Sequence, residues 1–258
     1  MGMDTHHGSS PAPGLGSGPA QGCKPVILAA VLGSLLCAVL AGTALASGSK
    51  GVNAFERRDY PTALTELAPA ADKGDPEAQT YLGWMYEKGL GVPVDYARAQ
   101  TWYRKAADKG HAHALNNLGS LYYLGNGMPK DAPKGISLFR KAAKKGDAQA
   151  QMNLAMIYYI GQDAPKDDAE AARWARLAAR HGNPHAQNLL ARLYDTGAGL
   201  PRNPVLAYTL ATLSGDNPDA QALRVRLDAE LTSAQKAEAQ TLASTWRPGQ
   251  PLPTATRT

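Results

Sequence analysis

Cysteine is nearly absent from this 258-residue chain: Cys23 and Cys37 are the two, and both precede residue 38. The remaining length cannot be stapled by internal disulfides. Catalytic signatures are missing as well. No G-x-S-x-G, Walker A or H-E-x-x-H pattern occurs, which removes the common nucleophile, phosphate-loop and zinc-protease arrangements. Two Ser-x-x-Lys matches, Ser47 to Lys50 and Ser233 to Lys236, lack the Ser-Asp-Asn and Lys-Thr-Gly elements that give that spacing its chemistry. Ser233 reads better as a helix N-cap. A large charge excess is also missing. The formal net charge of +5 is too modest to argue for nucleic acid. The pairs His111/His113 and His181/His185 sit beside Gly110, Gly182 or Pro184, which break the helix that would align metal ligands. They read as loop histidines, and neither a metal nor a cofactor is expected.

What is present is a period. Ala78, Ala114, Ala150 and Ala186 stand 36 residues apart. Leu82, Leu118, Leu154 and Leu190 keep the same beat, as do Tyr86, Tyr122, Tyr158 and Tyr194. Gly89, Gly125, Gly161 and Gly197 repeat, and so do Pro93, Pro129, Pro165 and Pro201. So many fixed columns at one spacing mark a repeat array, whose units hold partners more often than they do chemistry.

Each unit reads as two helices. Ala78, Leu82, Met85 and Tyr86 fall on one apolar helical stripe. Gly89 ends that helix in the left-handed region, and the proline column blocks its continuation. Asp95, Asp131, Asp167 and Asn203 sit where a second helix needs its N-cap. Asp167 with Glu170 fits a capping box, and Pro204 suits a first helical position. Gly83, Gly119, Ala155 and Ala191 form a mid-helix column of the smallest side chains. Glycine there costs about 1 kcal/mol relative to alanine, so close approach of the partner helix is the expected reason. In the third link Asp163 replaces a glycine, a residue that tolerates the left-handed region better than most.

These columns resemble the Sel1-like repeat family, relatives of tetratricopeptide repeats with a slightly longer unit. The family's Leu-Gly, Tyr, Gly-x-Gly-Val, Asp and Trp-Tyr-x-Lys-Ala-Ala-x-x-Gly elements stand here as Leu82-Gly83, Tyr86, Gly89 to Val92, Asp95 and Trp102 to Gly110. The resemblance covers residues 51 to 246, with the fourth unit degenerate. It implies an all-α, right-handed α-solenoid of stacked helix–turn–helix repeats with terminal capping helices. Residues 247–258 read as a flexible tail and residues 1–24 as a disordered segment.

Residues 25–46 carry no charge. Their length suits a membrane anchor, whereas Ala44-Leu-Ala46 suits signal-peptide cleavage. Export to the cell envelope is the expectation, periplasmic or anchored and facing the periplasm. Lys50, Arg57 and Arg58 leave a cytoplasm-facing anchor as the alternative.

The resemblance implies protein–protein interaction without catalysis. A protein or peptide partner is expected on the concave surface of the first helices, with the oligomeric state undetermined. An envelope hydrolase acting on cell-wall peptides or β-lactams is the alternative, and a lipid-facing structural protein a third reading. Tyr81, Trp84, Asn117, Asn153, Met156 and Asn188 are the candidate partner contacts, asparagine for its paired donor and acceptor edges and Met and Trp as apolar anchors. Asn117 and Asn153 could equally cap internal turns. Arg104, Arg140 and Arg176 read as a solvated outer face that suits helix C-termini.

Overall fold

The computed structural model describes residues 50–255. The segments expected over 1–24 and 25–46, together with both cysteines, lie outside these described residues. Within them are twelve helices and no strand. A partial unit comes first, α1 (Lys50–Glu56) and α2 (Tyr60–Asp72). Four full pairs follow: α3 (Pro76–Lys88) with α4 (Tyr96–Asp108), and α5 (Ala112–Leu124) with α6 (Ala132–Lys144). Then come α7 (Ala148–Ile160) with α8 (Asp168–Arg180), and α9 (Pro184–Thr196) with α10 (Pro204–Leu213). Two further helices, α11 (Pro218–Glu230) and α12 (Ser233–Thr245), pack on α10. No helix among the described residues is long and apolar enough to cross a membrane.

The boundaries follow from local chemistry. Gly89, Gly125, Gly161 and Gly197 end the first helices at φ of 69°, 77°, 73° and 73°, where a Cβ would strain. The chain then folds back. The N–H groups of Asp95, Asp131, Asp167 and Asn203 donate to the carbonyls of Tyr86, Tyr122, Tyr158 and Tyr194 at 2.8–2.9 Å. Their side chains accept from Arg98, Lys134, Glu170 and Leu206 N–H and cap the second helices.

Within each pair the small column meets a residue twenty positions on, and the two sizes compensate. A Cβ on Gly83 would stand 2.6 Å from the ring of Tyr103, and one on Gly119 3.0 Å from the ring of Phe139. Both rings are buried. Ala155 and Ala191 occupy the same column in the third and fourth units, and Ala175 and Ala211 stand at the positions of the rings; all four are wholly buried. The larger residue of the small column is thus accompanied by the smaller residue twenty positions on, as a fixed core volume requires. At Gly119 the added Cβ would also lie 3.1 Å from the Gly135 carbonyl.

Four local expectations need correction. Asp163 is not left-handed: Arg58, at φ 62°, is the one non-glycine residue with positive φ among the described residues. A Cβ on Gly91 or Gly127 would lie 2.7 or 2.2 Å from the Cβ of Tyr60 or Tyr96. The residue matching those tyrosines in the third unit is the small, buried Ala132. Asp163 instead accepts from the Tyr123 hydroxyl at 2.7 Å and from Lys130 Nζ at 2.9 Å. At Asp167 only half of the capping box forms, because the Glu170 carboxylate takes Arg173 and the Trp174 indole N–H. A complete box caps α12, and it uses Thr232 with Gln235; Ser233 is the first helical residue. Finally, the described part of the tail, residues 247–255, is docked. Trp246 is buried and its indole N–H donates to Pro251 O at 3.1 Å. Gly249 N–H donates to Arg180 O at 2.7 Å, and Leu252 and Ala255 pack on the core. Proline lowers the entropic cost of holding such a segment.

Replacing Gly119 with leucine should overpack the Phe139–Gly135 contact and cost about 1–3 kcal/mol or more. A urea midpoint equal to wild type would show that the two helices do not depend on this approach.

Candidate functional site

Among the first helices, α3 packs beside α5 and α7 beside α9, and a side-chain amide bond links α5 to α7. Each turns one stripe outward. Its outermost positions are Glu77, Tyr81 and Trp84 on α3 and His113, Asn117 and Ser120 on α5, then Gln149 and Met156 on α7 and His185 and Arg192 on α9. Glu77, Tyr81 and Trp84 stand at i, i+4 and i+7 of one helix, so they share a face.

The six sequence candidates divide on this face. Tyr81, Trp84, Asn117 and Met156 are partly exposed on the stripe. Asn153 and Asn188 are buried and so leave the set of surface contacts. Nor do the asparagines cap turns. Asn153 Nδ2 donates to Asn116 Oδ1 at 3.0 Å, Gln149 Nε2 donates to Asn153 Oδ1 at 3.0 Å, and Asn116 Nδ2 donates to Asn117 Oδ1 at 3.1 Å. This chain of amides joins α5 to α7. The Asn188 side-chain oxygen is buried without a hydrogen-bond partner among the described residues.

The arginine ladder has a partner at every step. Arg104, Arg140 and Arg176 donate to the hydroxyls of Tyr122, Tyr158 and Tyr194, each eighteen residues on. The outer cations thus tie each second helix to the next first helix. A further ladder escaped the sequence reading. Gln79, Gln151 and Gln187 donate from Nε2 to the carbonyls of Ala71, Ala143 and Ala179. Its signal was a 36-residue glutamine column, interrupted by Leu115.

The histidines also depart from the loop reading. His111 N-caps α5 without a side-chain cap bond, and its Nδ1 lies 2.8 Å from Thr80 Oγ1. Burial, then the charge of His113, lowers its pKa. His113 Nδ1 sits 2.6 Å from the wholly buried carboxylate of Asp147, and that hydrogen bond raises the His113 pKa. Both rings therefore connect repeats. Among the described residues no group of three His, Cys, Asp or Glu side chains could hold a metal ion.

Sequence reasoning missed Glu77, the acidic neighbour of Tyr81 and Trp84. Its burial raises the carboxyl pKa first, followed by the charge of Asp75, whereas His113 lowers it. The helical spacing 77, 81, 84 was the available signal.

Because Asn153 holds Asn116 in a buried position, Asn153→Ala should cost about 1–3 kcal/mol by leaving a polar atom unpaired. Thermal midpoint and partner affinity measured on the same variant should show lower stability and, at low temperature, unchanged binding. Weakened binding with an unchanged midpoint would return Asn153 to the contact surface.

Comparison with known proteins fits this geometry. The Sel1 repeat model matches residues 76–111, 112–147, 148–183 and 184–219, each span being one helix pair with its link. A Sel1 repeat protein from Oxalobacter formigenes is similar at 32% identity, over 68% of this chain and 73% of its own, with a TM-score of 0.61. The protein c5321, a protective antigen present in uropathogenic Escherichia coli strains and displaying an SLR fold, is 28% identical. That match covers 72% of this chain and 48% of c5321, with a TM-score of 0.49. No curated protein matches. Sel1 repeats generally mediate protein–protein interaction. With four contiguous matched units spanning more than half of its length, the chain belongs to the Sel1 repeat family.

Proposed function

We propose that this protein is a non-catalytic binding scaffold of the bacterial cell envelope, whose protein partner lies along the exposed stripe of the first helices. The observation that carries the reading is an asymmetry between the two faces. On the second helices, the outward arginines are engaged with tyrosines of the same array. On the first helices, Tyr81, Trp84 and Met156 stay partly open, and no hydrogen bond within the array engages the Tyr81 hydroxyl or the Trp84 indole N–H among the described residues. Partly open aromatic and methionine side chains on a rigid helical layer are what interface anchors require. The envelope assignment rests on the uncharged residues 25–46 and on Ala44-Leu-Ala46.

Site-specific photo-crosslinking in intact cells tests the face. A crosslinker at Met156 should yield discrete adducts with another protein, and one at the exposed Thr101 of α4 should yield none. Adducts confined to Thr101 would move the site to the second helices.

Location is tested separately. Protease added outside should spare the array in intact cells and degrade it in spheroplasts. Protection in both would place it in the cytoplasm.

A further inference from the structure

One corner of the first-helix face is chemically unlike the rest. Phe55, buried at the end of α1, forms a floor. Tyr81 and Trp84 stand on it with ring centroids 4.9 and 4.6 Å from the Phe55 ring, and 6.4 Å from each other. Two carboxylates border these rings. Glu77 is half-buried and Glu56 is exposed. Both act electrostatically on the Tyr81 phenol, whose pKa is pushed up to about 12, by burial first and then by these two charges.

Neither carboxylate has an ion-pair or hydrogen-bond partner among the described residues. Arg57 and Arg58 follow Glu56 in the chain, yet neither pairs with it or with Glu77. Trp84 is equally unserved. Of the four tryptophans, Trp102 carries Lys105 Nζ 4.0 Å from its ring centre. Trp174 carries the Arg173 guanidinium at 4.1 Å and donates to Glu170. Trp246 donates to Pro251. Trp84 has neither a cation nor a polar partner among the described residues.

A half-buried carboxylate with no ion-pair or hydrogen-bond partner among the described residues, acted on at longer range by His113 and set beside two partly exposed aromatic rings, complements a cation twice: by charge and by ring quadrupole. Resting on the scaffold reading above, we propose that the corner formed by Glu77, Tyr81 and Trp84, with Glu56 at its rim, receives a lysine or arginine side chain of an extended partner peptide. The chain's own N-terminal segment is a poor occupant, because residues 1–49 contain one lysine or arginine, Lys24, followed by 22 uncharged residues.

The test uses the full chain and a fluorescent, end-capped nonapeptide of glycine, serine and alanine with one central arginine. Its citrulline isostere keeps the shape but lacks the charge and carries a carbonyl oxygen in place of one terminal amino group. The arginine peptide should bind roughly tenfold tighter than the citrulline peptide, a margin within reach of a cation–π contact joined to an ion pair. Glu77→Gln should erase that margin at unchanged thermal midpoint, and Trp84→Leu should erase it in protein that is still folded, with a lowered midpoint because Trp84 packs on Phe55. Asp108→Asn, an exposed charge change on α4, should leave it intact.

No arginine preference at millimolar peptide, or a preference that survives Glu77→Gln, overturns the inference. Stronger peptide binding caused by Lys24→Gln alone would name the chain's own segment as occupant. A dimer that dissociates on Glu77→Gln would name a second copy. Either result also overturns it. If Met156 crosslinks persist while the arginine preference fails, the face stands without a cation subsite. If those crosslinks fail as well, the face reading falls too.

Discussion

The array depends on how closely the two helices of each unit can approach. At Gly83 a Cβ would overlap the Tyr103 ring, and at Gly119 it would press on Phe139 and the Gly135 carbonyl. The approach is fixed jointly by both helices, with a ring opposite each of these glycines. A shorter or longer separation would leave a void or an overlap, and either costs on the order of kcal/mol in a core packed at crystal-like density. With the pair fixed, the position of its link follows. The link can close only by reversing onto the tyrosine carbonyl of the first helix, and all four links do so.

A single pair is still an open surface, and the stack is held by polar bonds that cross between units. Arginine reaches tyrosine eighteen residues on, glutamine reaches the last-turn carbonyl behind it, and asparagine reaches asparagine. Several of these bonds are buried, where an unpaired partner carries a full desolvation penalty. They set register as well as stability. Apolar stripes alone would tolerate sliding of one unit on the next, whereas a buried amide has one place to go. These bonds also engage the outward arginines of the second helices, which leaves the first-helix stripe as the face with open side chains.

Much of this was legible in the sequence. The 36-residue columns gave the helices, the glycine stops and the Asp or Asn caps, because each follows from residues within a few positions of one another. Close packing at Gly83 and Gly119 was legible too, since mid-helix glycine has few other reasons to recur. Contacts between units were not legible. Asn153 looked like a surface amide because its own helix says nothing of Asn116, 37 residues earlier. Asp163 looked left-handed because its partners, Tyr123 and Lys130, lie 40 and 33 residues away in the chain. The tail looked free because Trp246 and its proline-rich sequel have no period to announce their docking on Arg180. In each case the deciding neighbour came from another unit, beyond the reach of a local pattern.

The same logic explains where the repeats differ from one another. Two buried columns do not vary at all: Ala78 through Ala186 are all alanine, and Leu82 through Leu190 all leucine. Columns on the open stripe vary freely: Glu77, His113, Gln149 and His185 in one, Trp84, Ser120, Met156 and Arg192 in another. Packing density forbids change in the first kind and is indifferent to the second. One backbone plan thereby presents an acidic, aromatic corner at its first full unit and an exposed arginine at its fourth. A partner laid along the stripe meets different chemistry at each step. The chemical polarity of the proposed binding face therefore lies in the positions that folding leaves unconstrained.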